Sequence, residues 1–366
     1  MEYDSLVYWC ALNLIFAEKC SAGLSLVERF PEPGVLFSLG EKELREIMPG
    51  GDRYISQIRN PAILERAVRE VEWASRYDIR LEPFCSDRYP SRLRECPDAP
   101  LLLYCKGGVD LNAARIVAVV GTRRATFYGK SAVRKIVESL SMEDVKPLIV
   151  SGLALGIDGT AHQAALDMGL RTVAVLPTGL DEIYPPRHRE LAKKIAETGG
   201  LVTDFPRNTL PERFTFLRRN RIIAGMADAV LLAQSYEKGG GLITASLAVQ
   251  YSRELFAVPG NMDDASFAGC NNLIYNNSAV IMNNPRAIAD TLGWKRSARK
   301  DPSLFDNSVS GEGSAILKLL HSCGPLSSED IVARTGISPQ KLASELLALE
   351  MDGKIYNDRH FYYLCK

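Results

Sequence analysis

No apolar run in this 366-residue chain approaches the roughly 18 residues that a membrane-spanning helix needs. The start, MEYDSLVYWCALNLIF, carries two acids before its apolar stretch, where a secretory leader would carry basic residues. It reads as a mature, cytoplasmic start. Cysteine is scattered: the eight residues Cys10, Cys20, Cys85, Cys96, Cys105, Cys270, Cys323 and Cys365 form no CxxC pair, and only four histidines accompany them. That excludes the usual zinc spacings and reads as reduced, mostly buried thiols. An excess of one charge is also missing, with Lys+Arg and Asp+Glu both at 44. A polycation that coats nucleic acid is therefore excluded, and any polyanion site must come from charge placed locally. Neither common nucleotide fingerprint is present. The turn GTRRATFYG lacks GxGxxG, and Gly129-Lys130-Ser131 has Arg124 where a phosphate-binding P-loop needs glycine.

Hydrophobic periodicity divides what remains. Residues 1–80 read as short helices punctuated by Gly34, Gly40, Pro49, Gly50, Gly51 and Pro61, as in a SAM-like or helix-hairpin-helix module. With 10 basic and 13 acidic residues this stretch suits a packing domain as well as a DNA-contacting one. Over 81–294, short apolar runs (IVAVV, LIVSG, TVAVLP, GLVTDF, AVLLAQ, LFAVPG, AVIM) alternate with amphipathic stretches of helical length. Such runs imply an α/β domain whose parallel sheet is buried on both faces, with ligands at the carboxyl ends of the strands. Residues 295–311 are polar and irregular and form a linker. Residues 312–366 read as three helices, with Ser327 and Ser338 as N-caps, and a hairpin turning at Asn357–Asp358. That is a winged-helix arrangement. Its 6 basic and 7 acidic residues favour protein contact or weak duplex binding over base reading.

Three strand-to-helix turns carry candidate chemistry. In VVGTRRATFYG, Gly121 frees the backbone, Thr122 adds a hydroxyl and Arg123 and Arg124 add charge at a helix start, where open N–H groups attract anions. In SGLALGIDGTAH, Ser151 and Gly152 follow a strand; Asp158 reads as an N-cap or as the partner of His162 four residues on, a pair shaping the pocket floor. In KGGGLITASLAV, Gly240 belongs to a glycine nest and Thr244 offers a hydroxyl. Between them, residues 207–221 hold five arginines against one glutamate, a local excess of four, with Phe214 and Phe216 interleaved. Arginine forks onto phosphate and aromatics stack on bases. No nucleophile, metal cluster or cofactor motif emerges, so no enzymatic activity is expected.

Taken together, VGTRRATFYG, SGLALGIDGTAH, TVAVLPTGLDEIYPPRHREL, FLRRNRIIAG, GGGLITASLA, RELFAVPGN and GCNNLI resemble, in that order, the DNA-processing protein A family (DprA, also called Smf). The resemblance covers about residues 80–294. Departures are small: Thr122 stands where serine is usual, Pro177-Thr178 where a glycine turn is typical, Leu217 where proline is common and Gly239 where serine often stands. The resemblance implies an extended Rossmann-like domain between a SAM-like and a winged-helix domain. It implies single-stranded DNA binding without strong sequence preference, loading of the RecA recombinase in natural transformation, and a homodimer formed through the Rossmann-like domain. Carried residue by residue, it places the DNA pocket on Gly121, Thr122, Arg123, Ser151, Gly152, Arg219, Asn220, Arg221, Gly240 and Thr244. The rival class is a nucleotide-binding phosphoribohydrolase-like enzyme, which carries a catalytic glutamate after its glycine run. Here Leu242-Ile243-Thr244 follow instead, with no carboxylate.

Overall fold

The computed structural model describes residues 3–295, 311–352, 354–358 and 361–364. Its contacts divide the chain into two compact units, Met1–Ser297 and Ala298–Lys366. All but the end residues of the expected linker 295–311 lie outside the described residues.

The first unit begins with six helices: α1 (Tyr3–Ile15), α2 (Cys20–Arg29), α3 (Gly34–Ser38), α4 (Glu41–Ile47), α5 (Asp52–Ile58) and α6 (Pro61–Arg76). The Asn60 side chain accepts from the Ala62 N–H, and Pro61 occupies the first helical turn, so α6 starts where its sequence signals it. Trp9, Leu12, Leu36, Leu44 and Val71 fill the core of this module. A strand pair follows, β1 (Arg80–Pro83) and β2 (Leu102–Lys106), separated by α7 (Ser91–Arg94). Alternation along β2 feeds two cores. Leu102 and Tyr104 pack with the helices, while Leu103 and Cys105 join the main sheet core. The helical module is thus fused to the sheet, and its polar contacts point the same way. Buried Glu70 pairs with Arg207 at 3.0 Å, and Asn13 donates to the Asp204 carbonyl at 3.0 Å.

The main domain runs β3 (Ile116–Gly121), α8 (Phe127–Ser141), β4 (Leu148–Ser151), α9 (Ile157–Asp167), β5 (Thr172–Val175), α10 (Arg189–Thr198) and β6 (Gly200–Thr203). It continues through α11 (Arg213–Met226), β7 (Ala229–Gln234), α12 (Gly241–Gln250), β8 (Glu254–Ala257), α13 (Ala268–Tyr275), β9 (Val280–Ile281) and α14 (Ala287–Thr291). The nine strands lie in the order β1-β2-β6-β5-β4-β3-β7-β8-β9. From β6 to β9 every pairing is parallel; β2 pairs antiparallel to β6, and β1 to β2. Each apolar run of the sequence contributes a strand, and the antiparallel pair extends the sheet beyond them. The chain leaves β3 toward β4 and later returns to pair β7 on its other side. The carboxyl ends of these strands border the switch point, where a doubly wound sheet opens a crevice.

The second unit comprises α15 (Gly311–Cys323), β10 (Leu326–Ser327), α16 (Ser328–Thr335), α17 (Pro339–Met351), β11 (Ile355–Asp358) and β12 (Phe361–Leu364). Ile316, Leu320, Ile331, Leu342, Leu346 and Ile355 form its core. Ser327 caps α16 reciprocally with Asp330. Ser338 precedes α17 without a side-chain cap bond. The hairpin is one turn longer than its composition suggested: Asn357 pairs with Tyr362 and Asp358 with Phe361. Both expected turn residues therefore lie in β11, and residues 359–360 lie outside the described residues. Stacked Tyr356 and Tyr363, 5.0 Å apart, flank the extended ladder.

Candidate nucleic-acid interface

Helix α11 sorts its arginines by angle. At 100° per residue, Arg213, Phe216, Leu217, Asn220 and Ile223 share one stripe, and all five line a cleft of about 970 Å³ at the switch point. Arg218 and Arg221 fall on another face. There both grip the fully buried Asp204 carboxylate, Arg218 through two bonds of 3.0 and 2.8 Å and Arg221 through one of 2.5 Å. Arg221 also donates to the Asp98 carbonyl. Burial opposes ionisation of Asp204, but the two guanidiniums outweigh it and hold its carboxyl below the ordinary range. With Arg207 on Glu70, three of the five arginines are spent on internal pairs. Arg221, expected in the DNA pocket, is a structural residue: it is 5% exposed and does not line the cleft.

Arg219 stands between the two faces. It reaches the cleft floor with 4% of its surface exposed, and its Nη1 donates to the Val175 carbonyl at 2.8 Å. Its Nε is buried and has no partner. Burial lowers its pKa to about 10, against the attraction of Asp158, so it remains a cation at neutral pH. Gly152 makes this seat possible, since a Cβ there would stand 1.7 Å from Arg219 Nη1. Gly152 therefore serves the cleft indirectly. Ser151 does so too: fully buried, it donates to the Val119 carbonyl at 2.6 Å, tying β4 to β3. Neither residue lines the cleft.

The first turn is more self-satisfied than its sequence suggested. The Thr122 N–H donates to the Gln234 carbonyl at 2.9 Å, and its hydroxyl accepts from the Arg124 N–H at 3.2 Å. Thr126 caps α8 through the Gly129 N–H. What this turn offers the cleft is charge. Arg123 lies over the Phe216 ring, 4.6 Å from its centroid, and Tyr184 meets the same ring edge-on at 5.6 Å. Phe214 is exposed and lies outside the cleft lining. Opposite, no side chain caps the start of α12, so the Gly239–Gly241 corner leaves a helix N-terminus at the cleft edge. Gly121 and Gly241 let this corner and the end of β3 approach closely: a Cβ on Gly241 would lie 3.3 Å from the Gly121 Cα. Gly240 and Thr244 line the same wall, Thr244 almost wholly buried.

Asp158 and His162 do not form the expected pair. The His162 Nδ1 is 2.7 Å from the Thr172 hydroxyl, which itself donates to the Ile149 carbonyl, so Nδ1 carries the proton. Burial pushes the His162 pKa down to about 3. Nor is Asp158 an N-cap. That position is Gly156, at φ 80°, and the Asp158 carboxylate reaches back from the first turn to the Ala154 N–H. Burial raises its pKa.

Five cations, Arg123, Arg124, Arg213, Arg219 and Lys238, face one carboxylate, Asp158, around this cleft. Arg213 counts among the five arginines of 207–221 but is not assigned to the pocket from the sequence, and neither are Lys238, Tyr184 and Tyr236. Helical spacing on α11 could have found Arg213. Lys238 stands immediately before the glycine run, whereas the tyrosines arrive through loop placement. Among the described residues no cluster suited to a metal ion occurs, and no helix is long and apolar enough to cross a membrane.

These features define an extended doubly wound α/β protein with a cationic, glycine-edged cleft at its switch point. A family model described as DNA recombination-mediator protein A matches residues 81–293, and one described as the DprA winged helix domain matches 300–357. The chain belongs to the DNA recombination-mediator protein A (DprA, Smf) family. It is 36% identical to the DNA processing protein DprA of Streptococcus pneumoniae over 255 residues, covering 69% of this chain and 89% of that protein. It is 34% identical to protein Smf of Escherichia coli over 290 residues, 77% and 76% of the two chains. The X-ray structure of the Streptococcus pneumoniae protein aligns with TM-score 0.57 at 32% identity, covering 69% of this chain and 94% of that one. A Helicobacter pylori DNA processing protein A structure, described for its single-stranded DNA binding mode, aligns with TM-score 0.53 at 30% identity, covering 58% and 95%.

Proposed function

We propose that this chain binds single-stranded DNA in the switch-point cleft, without strong sequence preference, and helps load RecA recombinase onto DNA during natural transformation. The observation that carries the reading is the cleft's charge. Arg123, Arg124, Arg213 and Lys238 are exposed on its walls, and none is in an ion pair among the described residues. The Helicobacter pylori relative's single-stranded DNA binding supports it. The cations meet phosphates while Phe216, backed by Tyr184, offers an aromatic surface, and both kinds of contact are indifferent to base identity. Loops at strand ends follow one flexible backbone more readily than a duplex. Homodimerisation through the Rossmann-like domain is supported by its free edge, where Val280 and Ile281 of β9 are about two-fifths exposed beside Tyr275 at 86%.

A fluorescence titration with single-stranded and duplex oligonucleotides at two salt concentrations tests the reading. Single strands should bind more tightly, and log affinity should fall with log salt at about −0.7 per phosphate contact. Equal affinity for duplex and single strand at matched salt would sink it. Release of base from a nucleoside monophosphate would instead favour the phosphoribohydrolase reading, with Asp158 as its carboxylate.

A further inference from the structure

Beyond the cleft, the same rim of the sheet carries apolar side chains that the fold does not bury. Phe127 is 84% exposed, its chain neighbour Tyr128 52% and Met262 90%. A single exposed aromatic needs no explanation. Phe127 and Tyr128, however, open a helix whose first turn is tied to the framework of the cleft. Phe127 opens α8 directly after the turn whose Arg123 and Arg124 line the cleft. Its neighbour Thr126 is held by the Gln234 side chain, which accepts from both the Thr126 N–H and hydroxyl. Gln234 in turn donates to Ser266 at 2.7 Å. The Tyr128 hydroxyl donates to the Pro259 carbonyl at 3.0 Å, and its ring meets Phe267 at 5.4 Å. Pro259 begins the segment that leads from β8 to Met262. The rim therefore runs from the cleft wall, where Tyr236 and Ile243 are about two-fifths exposed, past β7 to the end of β8.

We infer that Phe127 is a base-stacking shelf for the stretch of the same single strand that leaves the cleft across the ends of β7 and β8, with Tyr128 next to it at the start of α8. This rests on the single-strand reading of the cleft. Two properties favour a nucleic-acid base as the occupant. Phe127 follows Arg123 and Arg124 of the cleft wall by only a few residues, so a strand held there by its phosphates passes close to it. Its ring also sits on a hydrogen-bonded scaffold, so little order is lost when a base stacks. A base offers its π-face whatever its identity, so the shelf adds affinity without adding sequence preference.

The test uses the full chain and labelled oligo-dT of about 4 and about 16 nucleotides, spanning the range of single-strand site sizes. Phe127→Ala should weaken the longer oligonucleotide by about 5- to 150-fold, the range for losing one base-aromatic stack, and change the shorter one less than about twofold. Phe127→Trp should retain wild-type affinity and have its emission quenched by the longer oligonucleotide alone. Unchanged binding of both lengths by Phe127→Ala, or unquenched Trp at saturation, would overturn the shelf. So would a change of sedimentation coefficient in Phe127→Ala without DNA, which would assign the patch to a second copy. If the wild-type protein binds neither length, the cleft reading itself falls, and the shelf with it.

Discussion

Gly152→Ala tests the cleft without removing any group proposed to touch DNA. The new methyl would stand 1.7 Å from Arg219 Nη1 and 2.4 Å from its Cζ, distances no contact survives. Gly152 does not occupy the left-handed region, so its backbone accepts alanine. The guanidinium is the far end of a flexible side chain and is what must move. Arg219 then loses the Val175 carbonyl and the orientation that aims it into the cleft floor. A charge-assisted bond to phosphate contributes about 1.5–3 kcal/mol, so its loss weakens binding roughly 10- to 150-fold. The assay is fluorescence anisotropy of a labelled oligo-dT with wild type, Gly152→Ala, Arg219→Ala and the double variant, with circular dichroism as folding control. Arg219→Ala should lose at least as much affinity as Gly152→Ala, and the double variant no more than Arg219→Ala. The coupling energy should then equal the whole Gly152→Ala effect. Wild-type affinity in Gly152→Ala would refute the reasoning. Additive losses would too, since they would mean that the Gly152 backbone meets DNA on its own account.

Asp204→Asn should destabilise the first unit by about 3–5 kcal/mol, because Arg218 and Arg221 would remain buried without their counter-charge; an unchanged thermal midpoint would contradict that. His162 sets a pH slope. Its folded pKa of about 3 lies below the ordinary 6.5, so the unfolded chain binds a proton in that window that the folded chain does not. Stability should therefore rise with pH between those values and fall on acidification, and His162→Asn should flatten urea midpoints measured at about pH 4.5 and 7.5. The same slope in the variant would assign it elsewhere. Replacing both Arg123 and Arg219 by Ala should nearly abolish single-strand binding. Neutralising Lys295, Arg296, Arg299 and Lys300 should cost less and mostly at low salt; of these four only Lys295 lies within the described residues. A larger loss from the second set would move the DNA contact to that basic stretch.

From Ile116 onward, the elements of the main domain and their order are legible in the string of residues. Buried parallel strands cannot hide their hydrophobicity, so each apolar run from Ile116 onward announced a strand, and the glycine turns announced where a ligand could approach. Motif order carried the family and, with it, the cleft's location. What only tertiary structure decided was the employment of each charge. Arg218, Arg219 and Arg221 look interchangeable in a string, yet 100° per residue sends two of them to Asp204 and leaves one at the cleft floor. Asp204, which claims them, directly follows β6 in the run GLVTDF, where its neighbours give no sign of its partners. His162 chose Thr172 on a neighbouring strand over Asp158 on its own helix, because packing of α9 against the sheet set the nearer hydroxyl. Strands β1 and β2 stand before the alternation of apolar runs with helical stretches begins, so that pattern does not mark them, and β2 serves two different cores. Local pattern reports whether a side chain is apolar or charged. Which partner it meets depends on how separate elements pack, and that information exists only once the chain has closed on itself.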